Sequence, residues 1–288
     1  HTVFLRGKKY KTHLVPSGVF HGIKSIIGPR CVVHPDSLIE ELDYLERSGF
    51  DRTLVKVSPR AHIVTDKHIN KDKKSLAKKL GTTSKGIAPC YADKMARTGQ
   101  LARDVLPSDL LWDERLSGRV LCEGAQGYHL DVDQGNYPYV TSSTTLPYGA
   151  CSLGFPPQKI RHIWGISKIY DTRSGVDPLF PDDLFEDPDL TVLGDIGQEF
   201  GVTTGRRRHC NWLNLDMMIE AARQTGTTHL VVNKCDILRE LGIYKLQYNN
   251  ELKTFDSYNK MTSFITDEIG KSNSLVKHIY LSSSPEKI

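Results

Sequence analysis

His229-Leu-Val-Val-Asn-Lys-Cys-Asp236 is a short apolar run that ends in Asn-Lys-x-Asp. The run reads as a buried strand, and the polar tetrapeptide then lies at its carboxyl end, where ligands of open α/β sheets bind. The Asp236 carboxylate would accept both N1–H and the exocyclic amine of guanine, a donor pair that adenine does not offer. Lys234 would lay its aliphatic stem on the base face.

Outward from this strand, strand-like and helix-like segments alternate. Residues 1–20 read as a hairpin with its turn at Arg6-Gly-Lys-Lys9. Ile23 to Ile27 and Cys31 to Val33 are short apolar runs. Pro35-Asp36-Ser37 opens a helix whose Leu38, Leu42 and Leu45 share a face, and Gly49 ends it. Phe50 to Val57, Val120 to Cys122, Ile160 to Tyr170 and His278 to Leu281 read as strands. Residues 66–79 are Lys-rich and read as a solvated helix. Residues 178–188 form an acidic, Pro-containing surface loop, and Asn214 to Gln224 and Met261 to Ile269 are amphipathic helices. The expected class is α/β, a mostly parallel sheet covered by helices, folded as a single domain over residues 1–288 with long ligand loops.

A second stretch points to an anion. Gly201-Val-Thr-Thr-Gly-Arg-Arg-Arg-His209 sets two hydroxyls and glycines beside three arginines. Guanidinium pairs with carboxylate or phosphate through two parallel hydrogen bonds. An Arg run alone is a solvated basic patch, but the glycines and threonines suggest a loop shaped around a small, multiply charged ligand.

Composition removes several classes. Of 288 residues, 39% are hydrophobic and 25% charged, ordinary for a globular protein, and the net charge is +4. No apolar stretch reaches membrane-spanning length. No helix-turn-helix pattern or aromatic-interleaved basic patch argues for nucleic acid. The six cysteines have no metal-ligand spacing, and a reduced, cytoplasmic setting is expected.

Three further segments stand in order with these: Gly81-Thr-Thr-Ser-Lys-Gly-Ile-Ala-Pro-Cys-Tyr91, Glu123-Gly-Ala-Gln-Gly127, and Asp131-Val-Asp-Gln-Gly-Asn-Tyr-Pro-Tyr-Val-Thr-Ser-Ser143. Together with the Thr-Thr-Gly-Arg-Arg-Arg loop they resemble the adenylosuccinate synthetase family. The resemblance implies a P-loop NTPase-like fold and a ligase that joins L-aspartate to C6 of IMP with GTP and Mg²⁺, as a homodimer whose site is shared across the interface. It also implies roles for residues. Thr82, Thr83 and Thr141 would bind the IMP phosphate, joined by Arg97 from a partner subunit, with Arg173 at the ribose. Gln126 would donate to the purine O6 or the transferred phosphoryl group, and His1 would act as general acid. Thr203, Thr204 and Arg206 would bind aspartate, with Arg206 also reaching the IMP. Arg208, Lys234, Asp236, Ser282 and Ser284 would bind GTP, with Arg207 in support. Asp131 and Asp133 read as structural carboxylates on one face of a strand.

Some features depart from the family pattern. Ser284 stands where the last loop usually has Gly, Thr172-Arg-Ser-Gly-Val-Asp-Pro178 is altered, and residues 237–281 are a shortened region. The family's phosphate loop, with its Mg²⁺-binding and catalytic Asp, precedes the segment that His1-Thr2 ends, so the sequence reads as N-terminally truncated. Compact forms resemble archaeal enzymes and a viral branch that uses dGMP. The alternatives are therefore a ligase for IMP, a ligase for dGMP, and an inactive nucleotide-binding homologue.

Overall fold

A computed structural model describes residues 1–201 and 205–286, with the backbone alone for residues 76–78. The chain forms two compact units, His1–Lys159 and Ile160–Ile288.

The first unit contains β1 (Thr2–Leu5), β2 (Lys8–Lys11), β3 (Ser25–Ile27), β4 (Val32–Val33), α1 (Pro35–Arg47), β5 (Val55–Val57), β6 (His62–Ile63), α2 (Asp66–Lys71), α3 (Ala77–Leu80) and α4 (Ile87–Ala96). β1 and β2 are the expected hairpin, turning through Arg6 and Gly7, both at positive φ. β3 pairs with β5 and β4 with β6, both in parallel. α1 forms where its signals place it. Pro35 pre-sets the first turn, the His34 ring accepts the Ser37 N–H, and Gly49 follows the end at φ 83°. Its Leu38, Leu42 and Leu45 are fully buried against Val33, Val55 and Val57.

The second unit contains β7 (Trp164–Lys168), β8 (Tyr170–Arg173), α5 (Pro188–Ile196), β9 (His209–Asn214), α6 (Leu215–Thr225), β10 (His229–Asn233), α7 (Cys235–Leu241), β11 (Tyr244–Tyr248), β12 (Glu251–Phe255), α8 (Tyr258–Ser272) and β13 (His278–Leu281). β7, β10 and β13 form a parallel sheet with β10 central. β8, β9, β11 and β12 form a mixed sheet. Asn214 and Ser257 cap α6 and α8 through their side chains. The apolar faces of those helices, with Ile219, Met261, Ile265 and Ile269, pack with Leu213, Leu230, Val232 and Leu246.

The α/β class stands, and among the described residues parallel pairs outnumber antiparallel ones, but pairing is divided among five small sheets. Two strand expectations are corrected. Residues 52–54 coil into a turn, so only Val55–Val57 of the Phe50–Val57 run is a strand. Val120-Leu-Cys122 pairs with no strand among the described residues, and Leu121 is 88% exposed. An apolar run without a partner for its backbone donors and acceptors does not become a strand. Among the described residues no helix is long and apolar enough to cross a membrane.

At the amino ends of β7, β10 and β13 a ladder of rings forms. His229 lies 5.2 Å from His162 and 4.9 Å from His278, centroid to centroid, and stacks on Trp164 at 4.5 Å. Lost hydration, then His278, His162 and Lys277, hold its pKa below the ordinary 6.5. The unfolded chain therefore takes up this proton first as pH falls. Stability should drop from about pH 6.5 downward and level off below the native pKa. Thermal melts between pH 7.5 and 5 should show that limb. His229→Gln should flatten it, and an unchanged limb in the variant would remove His229 as its cause.

Candidate functional site

The first unit carries two loops of interest. In residues 81–86, Asp72, 2% exposed, accepts the Thr82 hydroxyl at 2.7 Å and the Gly86 N–H at 2.9 Å. The single hydroxyl proton of Thr82 is thus committed to Asp72. A phosphate at this loop would draw its donors from Thr83 and Lys85, both exposed. Gly86, at φ 74°, leads into α4, and a Cβ there would lie 2.7 Å from the Ile69 nitrogen, so glycine is required. Arg97 ends α4 at φ 65° and is exposed.

The second loop system spans residues 123–145. His1 Nδ1 lies 2.9 Å from Glu123 Oε1, and Ser17 donates to the other carboxylate oxygen. The hydrogen bond to Glu123 outweighs burial and raises the His1 pKa, which leaves Nε2 of a more readily protonated ring for another partner. Gln126 is exposed and held at φ 70°. Thr141 is half-buried, and its N–H donates to the Leu130 carbonyl.

Asp131 organises this loop. It is fully buried and accepts from the N–H groups of Asp133, Gln134 and Thr145 and from the Thr144 hydroxyl, at 2.6–3.2 Å. Burial opposes its charge, but the Thr145 and Asp133 N–H bonds prevail and keep its carboxyl below the usual range. The structural reading of Asp131 holds, though its segment is a turn and not the strand expected.

The second unit gathers the basic residues and those expected to read the base. Parallel register brings the carboxyl ends of β10 and β13 together. The Ser282 N–H donates to the Val232 carbonyl at 2.8 Å, and the Cys235 N–H donates to the Ser282 carbonyl at 3.1 Å. The Ser282 hydroxyl donates to the Ser284 carbonyl. Asp236, in the first turn of α7, is half-buried, so the Asn-Lys-x-Asp segment and the Ser282–Ser284 loop are neighbours. Lys234 sits at φ 64° and donates to the Gly197 carbonyl at 2.8 Å.

The arginine run divides. Arg207 turns to α5, donating to the Thr191 carbonyl at 2.7 Å and pairing with Asp195 at 2.8 Å. Arg208 pairs with Glu199 at 2.9 Å, and Arg206 is exposed. Arg207 is therefore an anchor. Thr203 and Thr204 lie outside the described residues. Arg173, at the end of β8, is 3.2 Å from the Asp177 carboxylate and largely buried with it.

Sequence reading missed the group at the centre of this cluster. Glu199 is 2% exposed, and its carboxylate meets Lys168 at 2.7 Å, the Tyr170 hydroxyl at 2.8 Å, Arg208 at 2.9 Å and Lys234 at 3.8 Å. Burial works against its charge, but Lys168, the Tyr170 hydroxyl and Lys234 hold its carboxyl below the usual range. Burial lowers the pKa of Lys168, with Glu199 opposing. Burial also pushes Asp171 on β8 up to about 7. Three cations thus face one buried carboxylate, and the surplus positive charge suits an anion. The signal available was position: Lys168 ends β7, the same carboxyl edge that carries Asn233.

Among the described residues no three His, Cys, Asp or Glu side chains group to hold a metal ion. The acids of these loops are also committed, Glu199 to cations, Glu123 to His1 and Ser17, and Asp131 to loop donors.

Asp131→Ala would strand several buried donors at once and should destabilise the first unit by about 2–3 kcal/mol. Urea unfolding would measure it. A change under about 0.5 kcal/mol, the scale of an ordinary surface substitution, would show that the loop is held elsewhere.

A family profile described as adenylosuccinate synthetase matches residues 1–118 and 108–267. The adenylosuccinate synthetase of Lysinibacillus sphaericus is 34% identical, over 90% of this chain and 74% of the relative. That of Streptococcus sanguinis is 36% identical over the same shares, 90% and 74%. The fully ligated adenylosuccinate synthetase structure from Plasmodium falciparum superposes with TM-score 0.74 at 27% identity, covering 94% of this chain and 77% of that one. The succinoaminodeoxyadenylate synthetase of cyanophage S-2L, solved with dGMP and dATP, has TM-score 0.61 at 20% identity, covering 93% and 87%, which speaks to the fold alone. With its ordered loops and a profile match over most of its length, the chain belongs to the adenylosuccinate synthetase family.

Proposed function

We propose that this protein joins the amine of L-aspartate to C6 of IMP with cleavage of GTP, giving adenylosuccinate, GDP and phosphate. The observation that carries the reading is the family match across both units, with relatives of that activity at 34–36% identity. The γ-phosphoryl group of GTP passes to the purine O6, which turns that oxygen into part of a phosphate leaving group. The aspartate amine then attacks C6 and phosphate departs. Such chemistry rests on positioning and charge stabilisation.

In the first unit, His1 donates from Nε2 to the transferred phosphoryl group, with Glu123 keeping it protonated. Gln126 donates its amide to the purine oxygen. Thr83 and Thr141 bind the IMP phosphate, and Thr82 shapes the loop through Asp72. In the second unit, Arg206 clamps an aspartate carboxylate with Thr203 and Thr204, while Arg173 serves the ribose. Arg208 faces the GTP phosphates, and Lys234, Asp236, Ser282 and Ser284 form the guanine end. Magnesium on nucleotide phosphates takes one or two protein carboxylates with phosphate oxygens and water. Glu199, Glu123 and Asp131, already paired with cations or loop donors, are not placed to supply them. A cytoplasmic setting fits this substrate set.

Asp236→Asn exchanges an acceptor oxygen for a donor facing the guanine donors. Loss of one charged hydrogen bond is worth roughly 2–3 kcal/mol, about 30- to 150-fold in affinity. Steady-state kinetics should show that rise in the GTP KM with the IMP KM little changed. An unaltered GTP KM would sink the guanine assignment.

Arg97 is exposed at the end of α4, as expected of a residue that serves a neighbouring subunit in a symmetric dimer. Arg97→Leu and Gln126→Ala proteins should each be nearly inactive. Their mixture should regain partial activity, since one hybrid site keeps both side chains. Failure to recover while subunits demonstrably exchange would place Arg97 in its own subunit.

A further inference from the structure

We propose that Glu199 is a positioning residue of the nucleotide site, one that couples the phosphate-facing Arg208 to the base-facing Lys234. The proposal rests on the GTP reading of the second unit. The two oxygens of Glu199 divide the work. Oε2 takes Arg208 Nη1 at 2.9 Å and Lys168 Nζ at 2.7 Å. Oε1 takes the Tyr170 hydroxyl at 2.8 Å and faces Lys234 Nζ at 3.8 Å. An arginine or lysine head is only as well placed as its partner, because both side chains carry large rotamer freedom.

Glu199 is itself over-determined. Its N–H donates to the Gly194 carbonyl at 2.9 Å, and its carbonyl accepts the Arg208 N–H at 2.9 Å. Tyr170 is 1% exposed and presses so close to Gly197 that a Cβ there would collide with its hydroxyl oxygen. The Gly197 carbonyl in turn holds Lys234. Arg207, tied to α5 through Thr191 and Asp195, fixes the strand segment next to Arg208. A rigid, buried carboxylate therefore sets two cations that otherwise belong to different loops, residues 205–208 and 233–236. The cations outnumber the acid, so binding of a polyphosphate completes the charge balance without moving the framework.

The test uses the whole chain and calorimetric titration with GTP, with IMP as control. Glu199→Gln leaves three half-buried cations without their carboxylate and risks misfolding, so the main variant is Glu199→Gln/Lys168→Met, in which the charge loss is matched. It should melt cooperatively, bind IMP within about twofold of wild type and bind GTP about tenfold or more weakly, the factor for one lost positioning contact of about 1.4 kcal/mol. Lys168→Met alone removes one surplus cation but keeps the carboxylate that sets Arg208 and Lys234, so it should weaken GTP binding clearly less than the double variant does. In the wild-type background the GTP losses from Arg208→Leu and Lys234→Met should be non-additive, and in the Glu199→Gln/Lys168→Met background they should add. Full GTP affinity in the folded double variant, or an equal loss from Lys168→Met alone, would overturn the role of Glu199. If the double variant does not fold, Glu199→Asp keeps the charge but withdraws it by one methylene; wild-type GTP affinity there would equally overturn it. Failure of the wild-type chain to bind GTP while binding IMP would instead count against the GTP reading itself.

Discussion

Irregular backbone cannot pair with itself, so its donors need another acceptor. In this protein two buried carboxylates supply it, and a third does the same for side chains. Asp72 accepts a backbone N–H of the loop before α4, Asp131 accepts those of the turns that follow Gln126, and Glu199 gathers the heads of Lys168, Tyr170 and Arg208. Each is at most 2% exposed. A charge so buried is tolerable only when its bonds are complete, and each of the three meets at least two donors. The segments around residues 81–86 and 131–145 are thus held by the acid they wrap, and the same bonds occupy the lone pairs of these acids.

The arrangement also explains how one run of three arginines serves different ends. Along an extended segment, neighbours point to opposite sides. Arg207 meets α5, and Arg208 meets Glu199. An anchored middle residue gives the flanking guanidiniums a fixed base. The consequence is electrostatic preorganisation, in which the positive surplus around Glu199 exists before any substrate arrives.

What was legible in the sequence was what is local. α1 showed itself through Leu38, Leu42 and Leu45 between Pro35 and Gly49, and β10 and β13 through unbroken apolar runs. The arginine loop and the Asn-Lys-x-Asp turn were visible as motifs because their chemistry is contiguous. Lys168 and Glu199 were not, since they lie 31 residues apart and neither belongs to a recognisable pattern. Asp72 was hidden for the same reason inside a Lys-rich stretch, although it governs Thr82 ten residues away. Val120 to Cys122 misled in the opposite sense: strand propensity was present, but a strand exists only with a partner.

A family motif therefore specifies which atoms meet the ligand, while remote acids specify where those atoms stand. That division bears on the departures noted in this chain. Ser284 offers its backbone carbonyl to the Ser282 hydroxyl, a contact that any residue at 284 would provide, so the loss of glycine there leaves the loop closed. Arg173 is different, because Asp177 lies in the altered segment and takes up its charge. A guanidinium already neutralised by a neighbouring carboxylate holds a neutral ribose hydroxyl well and an anionic phosphate poorly, since the pair presents little net charge. Under the proposed assignments the altered segment therefore fits Arg173 to a ribose hydroxyl, and the GTP phosphates would fall to Arg208 and the surplus charge around Glu199.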